Sequence, residues 1–271
     1  MRREKVSLTR EKETLLITLY GKALESRRAD TLLGDCFADE AIGRIDYDFS
    51  RLEVDANLAA SLAIRASTLD AWIRAFLAAH PDAIVLELGC GLDTRVFRID
   101  PDDGVEWFDI DFPEVMELRR KLYPAHRSCR PIASSVTVPE WLAQVPRDRP
   151  AMVVAEGLTP YLTSEEGPRL VAWLVSHLGS GELICDVYSE LGLKFVRLSP
   201  SFRATGAEIH WAIDDPHELE LAAPGLTLIE DIPAYRPEHA ARMDWSAGWI
   251  VLVWSFFPAL RKIGRLLRFQ F

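Results

Sequence analysis

Glu87, Gly89, Gly91 and Asp111 are the residues whose types and spacing point to chemistry. The turn Gly89-Cys90-Gly91 closes an apolar run, Ile84-Val85-Leu86-Glu87-Leu88, that reads as a buried strand. Glycines let a ligand come close to the backbone of a turn, and they tolerate positive φ. A strand that ends in such a turn and leads into a helix is a nucleotide-binding geometry. The dinucleotide fingerprint Gly-x-Gly-x-x-Gly is incomplete, because Thr94 stands where the third glycine belongs. Glu87 puts a carboxylate at the end of the strand, where it can face a cation. Asp111 follows a second strand, residues 105–110, and lies about twenty residues past Gly91, the distance at which an acid meets ribose hydroxyls. Its two oxygens can each accept one bond from a cis-diol. A ligand with an ammonium, a sulfonium and no phosphate, such as S-adenosylmethionine, suits this set.

The elements that must position these residues follow from the pattern of the chain. Apolar residues at helical spacing predict helices over 11–27 and 59–79, the second with Pro81 just beyond its end. Residues 28–58 show no strong period and read as short helices or a cover. Strands are expected at 83–88, 105–110, 130–135, 151–155, 181–188, 226–232 and 266–271. Helices are expected at 113–122, which starts with proline and glutamate, at 164–178 and from about 238 to 261. Residues 190–225 read as irregular. The alternation of strands and helices predicts an α/β fold with a mostly parallel sheet. In such a sheet the carboxyl ends of the strands line the ligand crevice, which brings Glu156, Gly157 and Tyr161 toward the glycine turn.

Composition narrows the function classes. The chain has 271 residues and a formal net charge of −10, with no basic face to suggest a nucleic-acid partner. Cys36, Cys90, Cys129 and Cys185 form no Cys-x-x-Cys pair, so neither zinc nor a disulfide framework is indicated. Scattered histidines give no metal site, and the hydrolase motif Gly-x-Ser-x-Gly is absent. The N-terminus lacks the apolar segment of a signal peptide. The most apolar stretch, Trp249 to Leu260, is interrupted by Pro258 and too short to span a bilayer. A cytoplasmic protein with no membrane partner is the expectation.

Three segments carry a family resemblance: Leu88-Gly89-Cys90-Gly91-Leu92-Asp93-Thr94-Arg95 with Phe97-Arg98, then Asp109-Ile110-Asp111-Phe112-Pro113, then Ala155-Glu156-Gly157-Leu158-Thr159-Pro160-Tyr161-Leu162. Together they resemble the leucine carboxyl methyltransferase family, in particular its bacterial polyketide-type O-methyltransferase branch, from about Thr14 to the C-terminus. The resemblance implies a class I, Rossmann-like methyltransferase. Its seven-stranded sheet is mostly parallel with an antiparallel last strand, and N-terminal helices cover the site. The expected organisation is one domain over 1–271, with a helical cover at 1–80, a core at 81–271 and an acceptor-pocket insertion at about 190–225.

The resemblance also implies roles. S-adenosyl-L-methionine is the expected methyl donor. Lys22 and Arg65 are expected to approach its carboxylate, and Glu87, Gly89, Cys90, Gly91, Asp111, Glu156 and Gly157 to contact the rest of it. Ser135 occupies the slot where the family has an aspartate for the adenine amino group; it can accept the same bond without charge. Tyr161 and His210 are the catalytic candidates, His210 as a base if the acceptor is a hydroxyl rather than a carboxylate. The expected partner is a small-molecule methyl acceptor, polyketide-like or aromatic. Two other readings stay open: a nicotinamide-dependent oxidoreductase on a similar sheet, and a donor-binding protein that has lost transfer activity.

Overall fold

The computed structural model describes residues 3–6, 8 and 10–271. Its centre is a sheet of seven strands: β1 (Ile84–Leu88), β2 (Glu106–Asp111), β3 (Cys129–Ala133), β4 (Ala151–Ala155), β5 (Gly181–Tyr188), β6 (Thr227–Pro233) and β7 (Gly264–Gln270). Their order across the sheet is β3-β2-β1-β4-β5-β7-β6. Every pairing from β3 to β5 is parallel, and β7 runs antiparallel between β5 and β6. The mostly parallel sheet with an antiparallel last strand is therefore as expected.

Both faces of the sheet are covered, which is why β1 and β4 are apolar throughout apart from Glu87. Ile84, Leu86 and Leu88 pack in one cluster with Leu170, Val171 and Leu174 of helix α6 (Glu166–Leu178). Val85 points the other way, into a cluster with Leu69, Ile73 and Phe76 of helix α3 (Ala56–Ala79). Side chains alternate along a strand, so Glu87 shares the α3 face with Val85. A third cluster joins α1 (Leu15–Ser26), α2 (Cys36–Arg44) and Leu92 of the glycine turn. It holds the N-terminal helices over the carboxyl ends of the strands.

The helix α4 (Arg95–Ile99) follows the glycine turn, and α5 (Pro113–Leu122) follows β2 with proline in its first turn and basic residues in its last. Residues 28–58 hold short helical segments as expected, among them α2, capped by Asp35, and also a two-residue strand Ile45–Asp46 that pairs with Glu4–Lys5. Two other regions differ from the sequence reading. The segment 190–225 is not irregular: it folds into α7 (Glu190–Leu198), α8 (Pro200–Thr205) and α9 (His217–Ala222), with Ser189 and Ser199 capping the first two. The helix expected over 238–261 is broken into a 3-10 turn (Pro237–Arg242), α10 (Trp245–Trp254) and α11 (Pro258–Arg261). Asp244 caps α10 through the Ala247 amide, and Pro258 lacks the amide hydrogen that would continue it.

Candidate functional site

The order of the sheet reverses between β1 and β4, and a cavity of about 560 Å³ opens at the carboxyl ends of the strands there. This is the crevice in which open α/β sheets bind ligands, and the volume is that of a small-molecule site. Gly89 and Gly91 form its rim with φ of +61° and +52°. A Cβ on Gly91 would sit 3.3 Å from Leu15 Cβ, so the turn depends on glycine for both its conformation and its closeness to α1. Asp111 stands at the end of β2. One of its oxygens accepts from the Gly91 amide and the other from the Phe112 amide, both at 2.7 Å. Burial pushes the Asp111 carboxyl up, and those two amides pull it back.

Behind the turn lies a buried ion-pair network. Arg95, the first residue of α4, is fully enclosed; its Nε donates to Asp70 at 2.7 Å, and its other nitrogens donate to Glu87 and Glu156. Arg65 of α3 donates to Asp186 of β5 at 2.8 Å and to Glu156 at 3.2 Å. Lys22 of α1 bonds Asp93 and lies 3.1 Å from Glu156. Arg98 spans Asp35, Asp70 and Asp93 at 2.8–3.0 Å. Burial alone would raise the Glu156 carboxyl, but Lys22, Arg95 and Arg65 hold it down to about 2. Burial wins at Glu87, which has one cationic contact and the nearby charges of Asp93 and Asp109: its carboxyl rises to about 8.

Within this set Lys22, Arg65, Arg95 and Arg98 face Asp35, Asp70, Glu87, Asp93, Glu156 and Asp186. Even with Glu87 largely protonated at neutral pH, the five other carboxylates outnumber the four cations, and a buried excess of negative charge favours a cationic ligand. A sulfonium carrying an α-amino acid has one net positive charge. The open glycine turn, the carboxylate ending β2 and the surplus of buried carboxylates together fit S-adenosylmethionine.

Of the residues expected in the site, Lys22, Arg65, Glu87, Gly89, Cys90, Gly91, Asp111, Glu156, Gly157 and Tyr161 all line this cavity. Ser135 does not. It follows β3, and its hydroxyl pairs with Thr137 at 2.8 Å. His210 does not either; it is exposed, and only its backbone amide is engaged, by Pro160 O at 2.7 Å. Asp186 and Asp35 were not singled out by sequence reasoning. Asp186 had a signal, a carboxylate inside the apolar run Leu183–Tyr188 of β5, whereas Asp35 lies in a stretch without periodicity. Arg95 lies 3.6 Å from Asp93 and makes shorter contacts to Asp70, Glu87 and Glu156.

The far wall of the cavity comes from α7, α8 and α10, through Phe195, Phe202, Ile250, Val251 and Trp254. Tyr161 and Tyr188 stand between this wall and the ion-pair network. The Tyr161 hydroxyl donates to Thr14 Oγ1 at 3.0 Å. Burial pushes both phenols up, so both stay protonated at neutral pH.

This strand order, with the site at the carboxyl edge of β1, β2 and β4, defines the class I methyltransferase fold. A methyltransferase structure from Thermobifida fusca shares the fold with a TM-score of 0.57 at 18% identity over 93% of each chain. The plantazolicin methyltransferase BamL, solved with its desmethyl analogue and SAH, does so with a TM-score of 0.52 at 11% identity over 96% of each chain. The leucine carboxyl methyltransferase family model matches residues 15–175, and the chain belongs to that family. The tetracenomycin polyketide synthesis O-methyltransferase TcmP of Streptomyces glaucescens is 44% identical over 268 residues, 99% of either chain. An S-adenosyl-L-methionine-dependent methyltransferase of Gibberella zeae is 31% identical over 289 residues, 98% of this chain and 97% of its own. The protein is an S-adenosylmethionine-dependent O-methyltransferase. Among the described residues no helix is long and apolar enough to cross a membrane.

Proposed function

We propose that the protein methylates a carboxylate on an aromatic, polyketide-like small molecule. The observation that carries this reading is the chemistry of the far wall. Among the described residues, the parts of α7, α8 and α10 that line the cavity include no histidine, lysine, aspartate or glutamate. A phenol or alcohol acceptor needs a base, since its neutral hydroxyl is the poorer nucleophile. A carboxylate is already ionised near neutral pH and needs only to be aligned. The aromatic lining suits a flat apolar acceptor body. The polyketide pathway named for the Streptomyces relative supports the same acceptor class.

The roles follow from position. Asp111 holds the ribose hydroxyls, with its own oxygens fixed by the Gly91 and Phe112 amides. Glu87 and Glu156 face the ammonium. Lys22 and Arg65 approach the donor carboxylate, each anchored by buried acids. When bound, S-adenosylmethionine supplies an electrophilic methyl on a sulfonium. Tyr188 donates a hydrogen bond that orients the acceptor oxygen in line with that methyl, while Tyr161, whose proton is held by Thr14, walls the space beside it. The apolar wall excludes water, so the rate gain is one of proximity and orientation. His210, outside the cavity, has no part in this scheme.

The test is turnover of paired acceptors, an aromatic carboxylic acid and the phenol of the same ring system, across pH 6 to 9. Methyl ester formation at a pH-independent rate is expected. Methylation of the phenol alone, at a rate that climbs with pH, would overturn the assignment.

A further inference from the structure

Helix α10 has two apolar faces. Ala247, Val251 and Trp254 turn inward to the cavity. On the outside, Trp245, Trp249 and Phe256 are 82%, 62% and 81% exposed. Trp245, Trp249 and Leu252 are spaced by four and three residues, and Phe256 continues the series just past the helix end. That is the spacing of a helix–helix seam. No charged residue occurs between Trp245 and Leu260. The patch continues onto α7, where Phe195 packs on Trp254 with ring centroids 5.8 Å apart and Leu198 is largely exposed.

We propose that this face is the interface of a homodimer, with α10 of one copy laid against α10 of another about a two-fold axis. Area supports it. With a whole aromatic side chain at about 150–250 Å², the exposed apolar residues of α10 and the turn after it offer on the order of 800 Å². That exceeds the roughly 300–600 Å² of a monomer's largest patch and matches the roughly 800 Å² each partner contributes to a standard interface. Chemistry supports a second copy over a lipid surface. A seam without charge buries against itself with no ion to desolvate. A chain of net charge −10 is repelled by an anionic bilayer. Two such chains also repel each other at long range, so salt, which screens that repulsion, strengthens the dimer. The inward face of the same helix lines the cavity, so the partner copy braces the wall of the acceptor site.

The experiment is sedimentation velocity and light scattering on the full chain over a range of concentration and salt, beside Trp249→Glu and Phe256→Glu. The expected result is a species of twice 30.6 kDa that strengthens with salt. Each substitution should weaken association by about 30-fold or more, as loss of a central aromatic anchor does. Neither residue touches the donor end of the cavity, so calorimetric binding of S-adenosylmethionine by the variants verifies that they are folded. A wild-type chain that stays monomeric at high concentration and high salt overturns the proposal. A dimer untouched by both substitutions overturns it too, as does a monomer that co-sediments with anionic vesicles through these tryptophans.

Discussion

Replacing Arg95 with methionine tests whether the ion-pair network holds the site together. Arg95 is fully buried and donates to Asp70, Glu87 and Glu156. Its loss does not strand all three. Asp70 keeps Arg98 at 3.0 Å, and Glu156 keeps both Lys22 and Arg65 at 3.1 Å. Glu87 has no other side-chain cation within bonding distance among the described residues. Breaking a buried pair costs about 3–5 kcal/mol when the remaining charge has no escape. Glu87 has one, because its carboxyl, with a value near 8, is already largely protonated at neutral pH and leaves little bare charge behind. The expected loss at pH 7 is therefore the low end, about 3 kcal/mol, or a Tm about 6–12 °C lower.

The same substitution carries a pH signature. The folded value of Glu87, about 8, lies above its ordinary 4.5. The folded state thus holds this proton longer, and the stability it brings is full below 4.5 and lost as pH rises through 8. Without Arg95 the folded value climbs further, so the variant goes on losing stability where the wild type has levelled off. The difference between the two is flat up to about pH 8 and then grows by about 1.4 kcal/mol per pH unit. Urea unfolding at pH 7 and pH 9 reads both quantities. A loss under about 1 kcal/mol at pH 7, or the same loss at both pH values, would refute the network as described.

Three further outcomes follow from the geometry. Asp111→Ala should weaken S-adenosylmethionine binding by about 1–3 kcal/mol in titration calorimetry, the value of charge-assisted bonds to the ribose; unchanged affinity removes Asp111 from the donor site. Gly91→Ala forces a side chain into φ of +52° and against Leu15, so it should cost about 1–2 kcal/mol of stability by denaturant titration and lower donor affinity as well. Ser135→Ala and His210→Ala, both outside the cavity, should leave donor affinity and kcat within about twofold of wild type, inside the usual ±0.5 kcal/mol of surface changes; a tenfold loss for either would put that residue back in the mechanism.

The parts of the fold legible in the chain are those that local chemistry dictates. The runs Ile84–Leu88, Ala151–Ala155 and Gly181–Tyr188 are strands because both faces of a parallel sheet are apolar, so little else fits them. Pro113 with Glu114 fixes the start of α5. The glycine turn and Asp111 are visible because their separation is set by one strand–helix–strand unit. The segment 190–225 was not legible as helix, because α7, α8 and α9 are short and their stability comes from packing on the sheet rather than from their own period. The break at Asp244 was equally hidden: a single capping side chain gives no pattern over a window.

The sequence by itself determined the class of sheet, the glycine turn and the carboxylate that closes β2. The tertiary structure alone decided which charges meet. Arg95 gathers acids from α3, β1 and the end of β4, and Arg65 links α3 to β5, contacts separated by up to 121 residues in the chain. It likewise decided that Ser135 and His210 fall outside the cavity and that Tyr188 falls inside. The physical reason is range. Periodicity and capping act over a few residues and leave their mark on the chain, whereas ion pairing and cavity shape depend on distances in space that exist only once the strands have taken their order.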